Sequence, residues 1–382
     1  LMPARHGAEG NHTFPSPDVP CLVTELKRLG YEVAAMGKVA HGRPRDQWAF
    51  DVVQPASGYQ TLRRNVRQFL RQRDSDKPLC LFVGISNPHV PWPLPAKTPS
   101  NDVSLPPTFI DTPTTRTHRA AYCDEIKQLD QWLGELRELA TERLGSNLIF
   151  AYSSDHGGQW PYGKWTLYDY GVRVPLVVSW PGVVAKGSVS HAMVSWIDLL
   201  PTLIELTSDA APMNVDGQSF ADVLRGKSDS HRDRVFLTHT GDQAMNVYPC
   251  RAVRTSEWKL IHNLRPDLAF TSHSDLLRKP GAGAYWTEWV EAAEVDQRAR
   301  DAVDRYYRRP EWELYRISDD PWETRNLAAA PEHADVLAEL RASLQNWCES
   351  QGDQPRLLAA PRPLNDRKTW APEYWRDRAE RP

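Results

Sequence analysis

Three short clusters in this chain put cations, imidazoles and a carboxylate where apolar runs end: Gly37-Lys38 with His41, Asn87-Pro88-His89, and Asp155-His156 followed by Lys164. Together these residue types suit an anionic tetrahedral group. Cations hold its oxygens, a histidine protonates the leaving group, and a carboxylate serves a metal, which is the equipment for hydrolytic transfer at sulfur or phosphorus. Each residue also has an ordinary reading. Lys38 is a surface lysine after a strand, His41 and His89 are loop histidines bonded to backbone, Asp155 caps a turn with Gly157 and Gly158 at positive φ, and Lys164 pairs with Asp169. Singly these readings suffice; at three successive strand ends they give way to a shared site.

The elements behind the clusters repeat one arrangement. "PCLVTELKRLGYEVAAMGK" reads as a helix with Leu22, Leu26 and Leu29 on one face, a stop at Gly30 and a strand over Val33 to Met36. "RNVRQFLRQRDSDKPLCLFVGIS" gives a helix, a polar break and a buried strand. Tyr122, Ile126, Leu129, Leu133 and Leu136 recur at helical spacing, and "SNLIFAYSS" is the strand that delivers Asp155 and His156. "VPLVVSW" is a further strand, and Ser195 with Asp198 forms a capping box for a helix that tolerates Pro201 near its start. The alternation is that of an α/β protein, whose ligands bind outside the carboxyl ends of the strands. The three clusters are therefore expected to converge.

Composition bounds the partners. A chain of 382 residues accommodates a large α/β domain with a smaller companion. Its net charge of -3, with Lys and Arg dispersed, gives no basic stripe for nucleic acid. No apolar run reaches membrane-spanning length, and the first residues lack the regions of a signal peptide. The five cysteines are far apart and form no C-x-x-C, so neither a zinc site nor a disulfide framework is legible. The expected division is residues 1–230 as the main domain, 231–349 as a smaller region of antiparallel strands and helix, and 350–382 as a tail rich in Pro and Arg. A strand pair turns at Thr255 to Glu257, and Asp320-Pro321 marks a later turn.

The motifs resemble those of the type I sulfatases of the alkaline phosphatase-like superfamily. "GYEVAAMGKVAHG", "KPLCLFVGISNPHVPW", "LIFAYSSDHGG" and "GKWTLYDYGVRVPLVVSWPG" each match a segment of that family in order and spacing. "YPCRAVRTSEWKLIHNL" and "YYRRPEWELYRISDDPWETRNLA" are similar to the C-terminal region of the N-sulfoglucosamine sulfohydrolase branch, while Asp155-His156-Gly157 and "GVRVPL" look more like general bacterial sulfatases. The resemblance implies a large mixed sheet flanked by helices, with a smaller C-terminal antiparallel sheet subdomain. It implies a sulfated carbohydrate substrate and a periplasmic or extracellular location. It makes Asp155 and His156 ligands of Ca²⁺, Lys38 and Lys164 the grip on sulfate oxygens, His89 a further sulfate contact and the general acid, and His41 a contact to the nucleophile; Arg173 would brace the site by pairing with Asp169. Sugar identity, O- or N-sulfate, and oligomeric state stay open.

Two family features have no counterpart: an aspartate pair on the first strand, and the C/S-x-P-x-R motif whose Cys or Ser becomes the formylglycine nucleophile. "LMPARHG" resembles the segment downstream of that motif, so the expectation is a fragment that starts after the nucleophile, holds metal weakly and is inactive alone. Two other functions compete: a phosphodiesterase or phosphonate monoester hydrolase of the same superfamily, and a non-catalytic sulfated-glycan binder. The binder has no need of a proton donor such as His89. Trp160 and Trp165 flank the expected site as candidates for sugar stacking or for core packing. His239, Tyr248, Arg251 and His262 are candidates to reach it from the C-terminal part.

Overall fold

The computed structural model describes residues 1–39, 48–208 and 214–371. Three parallel strands form the first sheet: β1 (Glu32–Gly37) lies between β2 (Val52–Gln54) and β3 (Leu79–Gly84). β1 is buried from Val33 to Met36, as a central parallel strand covered on both faces requires. The helix Leu22–Arg28 packs its Val23 and Leu26 on one side of this sheet, and the helix Tyr59–Gln72 packs Leu62, Val66 and Phe69 on the other. β4 (Phe150–Ser153) and β5 (Leu176–Ser179) pair antiparallel with each other. Among the described residues no ladder joins β4 to β3, so the parallel and antiparallel parts of the expected large mixed sheet form separate ladders.

The helix before β4 runs from Pro113 to Leu144, longer at its start than the apolar spacing marked. Thr112 caps it by accepting from the Thr115 amide, and Pro113 occupies the first turn, where no amide is needed. Its N-terminal turns face the C-terminal half of the chain. There Trp289 Nε1 donates to Thr115 Oγ1 at 2.8 Å, and the Gly281 amide donates to His118 Nε2 at 3.0 Å.

The remaining strands form one antiparallel sheet in the order β6 (Arg234–His239), β7 (Cys250–Thr255), β8 (Trp258–Asn263) and β9 (Trp312–Arg316). One face receives the helix Ala334–Gln351 through Leu340 and Leu344. Beyond the other lies an aromatic core in which Trp92, Trp160, Tyr285, Trp286, Trp289 and Tyr306 are all buried. Trp370 of the C-terminal segment closes this core. Among the described residues no helix is long and apolar enough to cross a membrane.

Candidate functional site

Lys38 and His89 are brought together by the parallel register of β1 and β3, which sets Gly37 opposite Gly84. A Cβ on Gly84 would lie 2.0 Å from the Lys38 carbonyl oxygen, and one on Gly37 would lie 2.3 Å from the Gly84 carbonyl oxygen. Only glycine lets these two strand ends abut. The Lys38 amide then donates to Gly84 O at 3.0 Å, and the His89 amide turns back to Ser86 O at 2.8 Å. The His89 ring is fixed through Nδ1, 2.6 Å from Val90 O. A carbonyl only accepts, so Nδ1 carries the proton and Nε2 is left for other chemistry.

β4 ends one residue before Ser154, and Asp155 and His156 follow. His156 Nδ1 lies 2.7 Å from Gly157 O, which assigns its proton by the same argument, and Nε2 lies 3.3 Å from Asp155 Oδ2. The Asp155 side chain is 80% exposed against 34% for His156. Gly157 and Gly158 do not adopt positive φ, contrary to the turn expected of them. Gly157 serves close approach instead: a Cβ there would meet Tyr170 O at 2.0 Å, where its amide donates to Gly171 O. This folds the 157–171 loop back on itself and returns Lys164, whose amide donates to Gly158 O at 2.9 Å.

The cluster is one electrostatic unit. His89 is held below the ordinary histidine range first by burial, then by the charges of Lys38 and Lys164 and by His156. His156 is lowered by burial and by Lys164 and Lys38, with Asp155 opposing. Burial also lowers Lys164, against the pull of Asp155 and Asp242, and Lys38 lowers it further. The structure thus gathers Lys38, His89, Asp155, His156 and Lys164 around one patch of excess positive charge. His41 lies outside the described residues. A cavity of about 480 Å³ lined by Phe109, Tyr162, Ala292 and Arg305 includes none of the clustered groups.

Several expectations need correction. Asp169 pairs with neither Lys164 nor Arg173. Its carboxylate receives Lys259 at 2.6 Å and Arg254 at 3.2 Å, and Arg173 meets Asp169 only by a backbone hydrogen bond. Lys259, fully buried, also reaches Glu323 at 3.0 Å, so this network ties the loop of Lys164 to β7 and β8. Trp160 is 1% exposed and stacked between Trp92 and Tyr285, which makes it core. His239 is spent on Asn246, Arg251 on Asp353, and Tyr248 is buried in the core; His262 stacks on Trp312. From the C-terminal half, Asp242 and His273 approach Lys164 instead. Neither follows an apolar pattern. The only local signal is the Ser272-to-Asp275 capping box that starts the helix carrying His273.

The residues present do not amount to a calcium site. Calcium takes about six to eight oxygen ligands, and Asp155 with His156 offers one carboxylate and one imidazole. Among the described residues no group of three or more His, Cys, Asp or Glu is placed to hold a metal.

Comparison with known proteins matches residues 1–210 to the family described as Sulfatase, and residues 156–281 to one described as N-sulphoglucosamine sulphohydrolase, C-terminal. An ulvan-active sulfatase of Formosa agariphila is 28% identical over 362 residues, covering 92% of this chain and 68% of the relative. The human N-sulphoglucosamine sulphohydrolase is 29% identical over 391 residues, covering 88% of this chain and 75% of the relative. A protein solved in complex with its substrate D-glucosamine-2-N,6-O-disulfate superposes with a TM-score of 0.67 at 16% identity, over 93% of this chain and 87% of that one.

Proposed function

The chain belongs to the sulfatase family, whose reaction is the hydrolysis of sulfuric esters, and from that premise we propose that the Lys38, His89 and Lys164 cluster grips the sulfate group of a sulfated sugar. The observation that carries this is the mutual electrostatic coupling of two lysines and two histidines at the ends of β1, β3 and β4. A sulfate ester brings one negative charge, spread over three oxygens, between the two ammonium groups. Lys38 and Lys164 act as mobile point charges on its oxygens. The same anion relieves the positive field on His89 and raises its proton affinity, so the ring charges when substrate arrives. Its Nε2 then holds a proton for the departing sugar oxygen or nitrogen, to be given up when a nucleophile bonds to sulfur and displaces that atom.

Asp155 and His156 are proposed as two ligands toward a divalent metal; since they do not form a calcium site by themselves, no step is assigned to the metal. Attack on sulfur is likewise assigned to no residue, because the 382 residues contain no C/S-x-P-x-R from which formylglycine could arise. The sulfated-sugar class is supported by the N-sulphoglucosamine relative and by the disulfated glucosamine in the structural neighbour. A location in the periplasm or outside the cell belongs to the same proposal, resting on where such glycans occur. The test titrates p-nitrophenyl sulfate, N-sulfoglucosamine and a phosphate diester into the chain, with binding and release of each anion as readouts. Sulfate-selective binding without release is what a chain lacking the formylglycine motif predicts; preference for a phosphate diester or phosphonate ester would replace this reading with the phosphohydrolase alternative, and a sulfate affinity that His89→Ala leaves unchanged would favour the glycan binder.

A further inference from the structure

A buried carboxylate beside an anion site is electrostatically adverse, and Asp242 is such a group. It is 4% exposed and acts on Lys164 from the C-terminal half of the chain. The residue is pinned in a tight turn by reciprocal backbone hydrogen bonds with Asn246, at 2.7 and 3.2 Å. Its Oδ2 accepts from Trp165 Nε1 at 2.8 Å. Trp165 itself is held at φ +71°, in the left-handed region that a bulky side chain enters only when its surroundings impose it. The surroundings here are the Asp242 carboxylate and the His273 ring, which stacks on the indole at 4.8 Å and 12°. Lys164 Nζ lies 4.7 Å from the centroid of the same indole, over its electron-rich face. His273 Nδ1 is buried, has no hydrogen-bond partner among the described residues and stands 3.8 Å from Asp242 Oδ2, beyond hydrogen-bond reach. The indole therefore has three polar neighbours, and one of them is the sulfate-gripping lysine.

We propose that Asp242 and His273 are positioning residues for Lys164, acting through the Trp165 indole that Asp242 anchors and His273 covers. The strained backbone at Trp165 turns the preceding Lys164 toward the cluster, and the Trp165–Asp242 hydrogen bond keeps it there. This rests on the reading of Lys164 as a sulfate contact.

The sign of one substitution separates positioning from simple electrostatics. Asp242→Asn removes a negative charge near the anion, so charge alone predicts tighter sulfate binding. Loss of positioning predicts weaker binding, by about fivefold, as befits a weakened hydrogen bond to a charged group. The experiment titrates inorganic sulfate into the full chain by calorimetry for the wild type, Asp242→Asn, Lys164→Ala, their double variant and Trp165→Phe, with circular dichroism and melting temperature confirming folding. Asp242→Asn should weaken binding, and the double variant should bind no worse than Lys164→Ala alone. Trp165→Phe deletes the N–H while keeping the carboxylate; it should weaken binding in the same direction and decides the matter if Asp242→Asn does not fold. Unchanged or tighter binding by Asp242→Asn or, where that variant is unfolded, by Trp165→Phe overturns the proposal, as does an Asp242 effect that persists undiminished without Lys164. Wild-type affinity in Lys164→Ala would instead sink the sulfate reading of that lysine, and the positioning role with it.

Discussion

Replacing Lys259 by methionine keeps the length of the side chain and removes the one cation shared by two buried carboxylates. In the native chain Lys259 Nζ is fully buried, 2.6 Å from Asp169 Oδ1 and 3.0 Å from Glu323 Oε1, and those carboxylate side chains are 6% and 1% exposed. Arg254 remains for Asp169 after the substitution, which leaves Glu323 as an uncompensated buried charge. Breaking a buried pair in this way costs about 3–5 kcal/mol. Burial already raises the Glu323 pKa and Lys259 opposes that rise. A carboxyl whose folded pKa lies above its unfolded value destabilises the fold above that pKa and ceases to do so as the pH falls through it. The deficit of Lys259→Met should therefore be largest near neutral pH and shrink on acidification, and Glu323→Gln in the same chain should recover part of it. Urea unfolding at pH 7 and at pH 5 measures both. Because Asp169 begins the turn that closes the Lys164 loop, sulfate affinity should fall in parallel. A Lys259→Met chain within about 0.5 kcal/mol of wild type at pH 7, the range of an ordinary surface change, would refute the reasoning.

Two buried groups titrate in opposite senses between pH 4 and 6.5. His239 is lowered to about 4, mainly by burial, so its contribution is complete above 6.5 and is lost as the pH falls toward 4. Asp275 is raised to about 6, again by burial, so acidification below 6 restores stability. Each is worth about 3 kcal/mol over its window. Relative to wild type, His239→Gln should gain stability on acidification and Asp275→Asn should lose it more steeply, as read from urea midpoints across that range. Gly84→Ala places a Cβ 2.0 Å from the Lys38 carbonyl oxygen, so the strand ends must part. It should lower the melting temperature and weaken sulfate binding together, whereas Gly134→Ala, on an open helix face, should do neither.

The strands under the site were legible because each is a short apolar run with a helix before it and a polar cluster after it. Lys38 and His89 could be placed together because parallel neighbours carry their C-terminal ends to one edge, and the structure shows Gly37 opposite Gly84. What the pattern did not carry is side-chain direction and long-range partnership. Asp169 was read against its sequence neighbours, yet its partners come from β7, β8 and the turn after β9, far along the chain. His239 and Asp242 stand three positions apart at the end of β6, and only their surroundings decide which is consumed by Asn246 and which faces Trp165. Trp160 and Trp165 look alike in sequence; the first is sealed between two aromatic rings and the second backs the lysine.

The most direct test is a calorimetric titration of inorganic sulfate into the chain and into its Lys38→Ala/Lys164→Ala double variant at pH 7. Saturable binding that the double variant loses, with His89→Ala intermediate, is the predicted result. Equal affinity in the wild type and the double variant would show that the anion sits elsewhere and would contradict the assignment of this cluster.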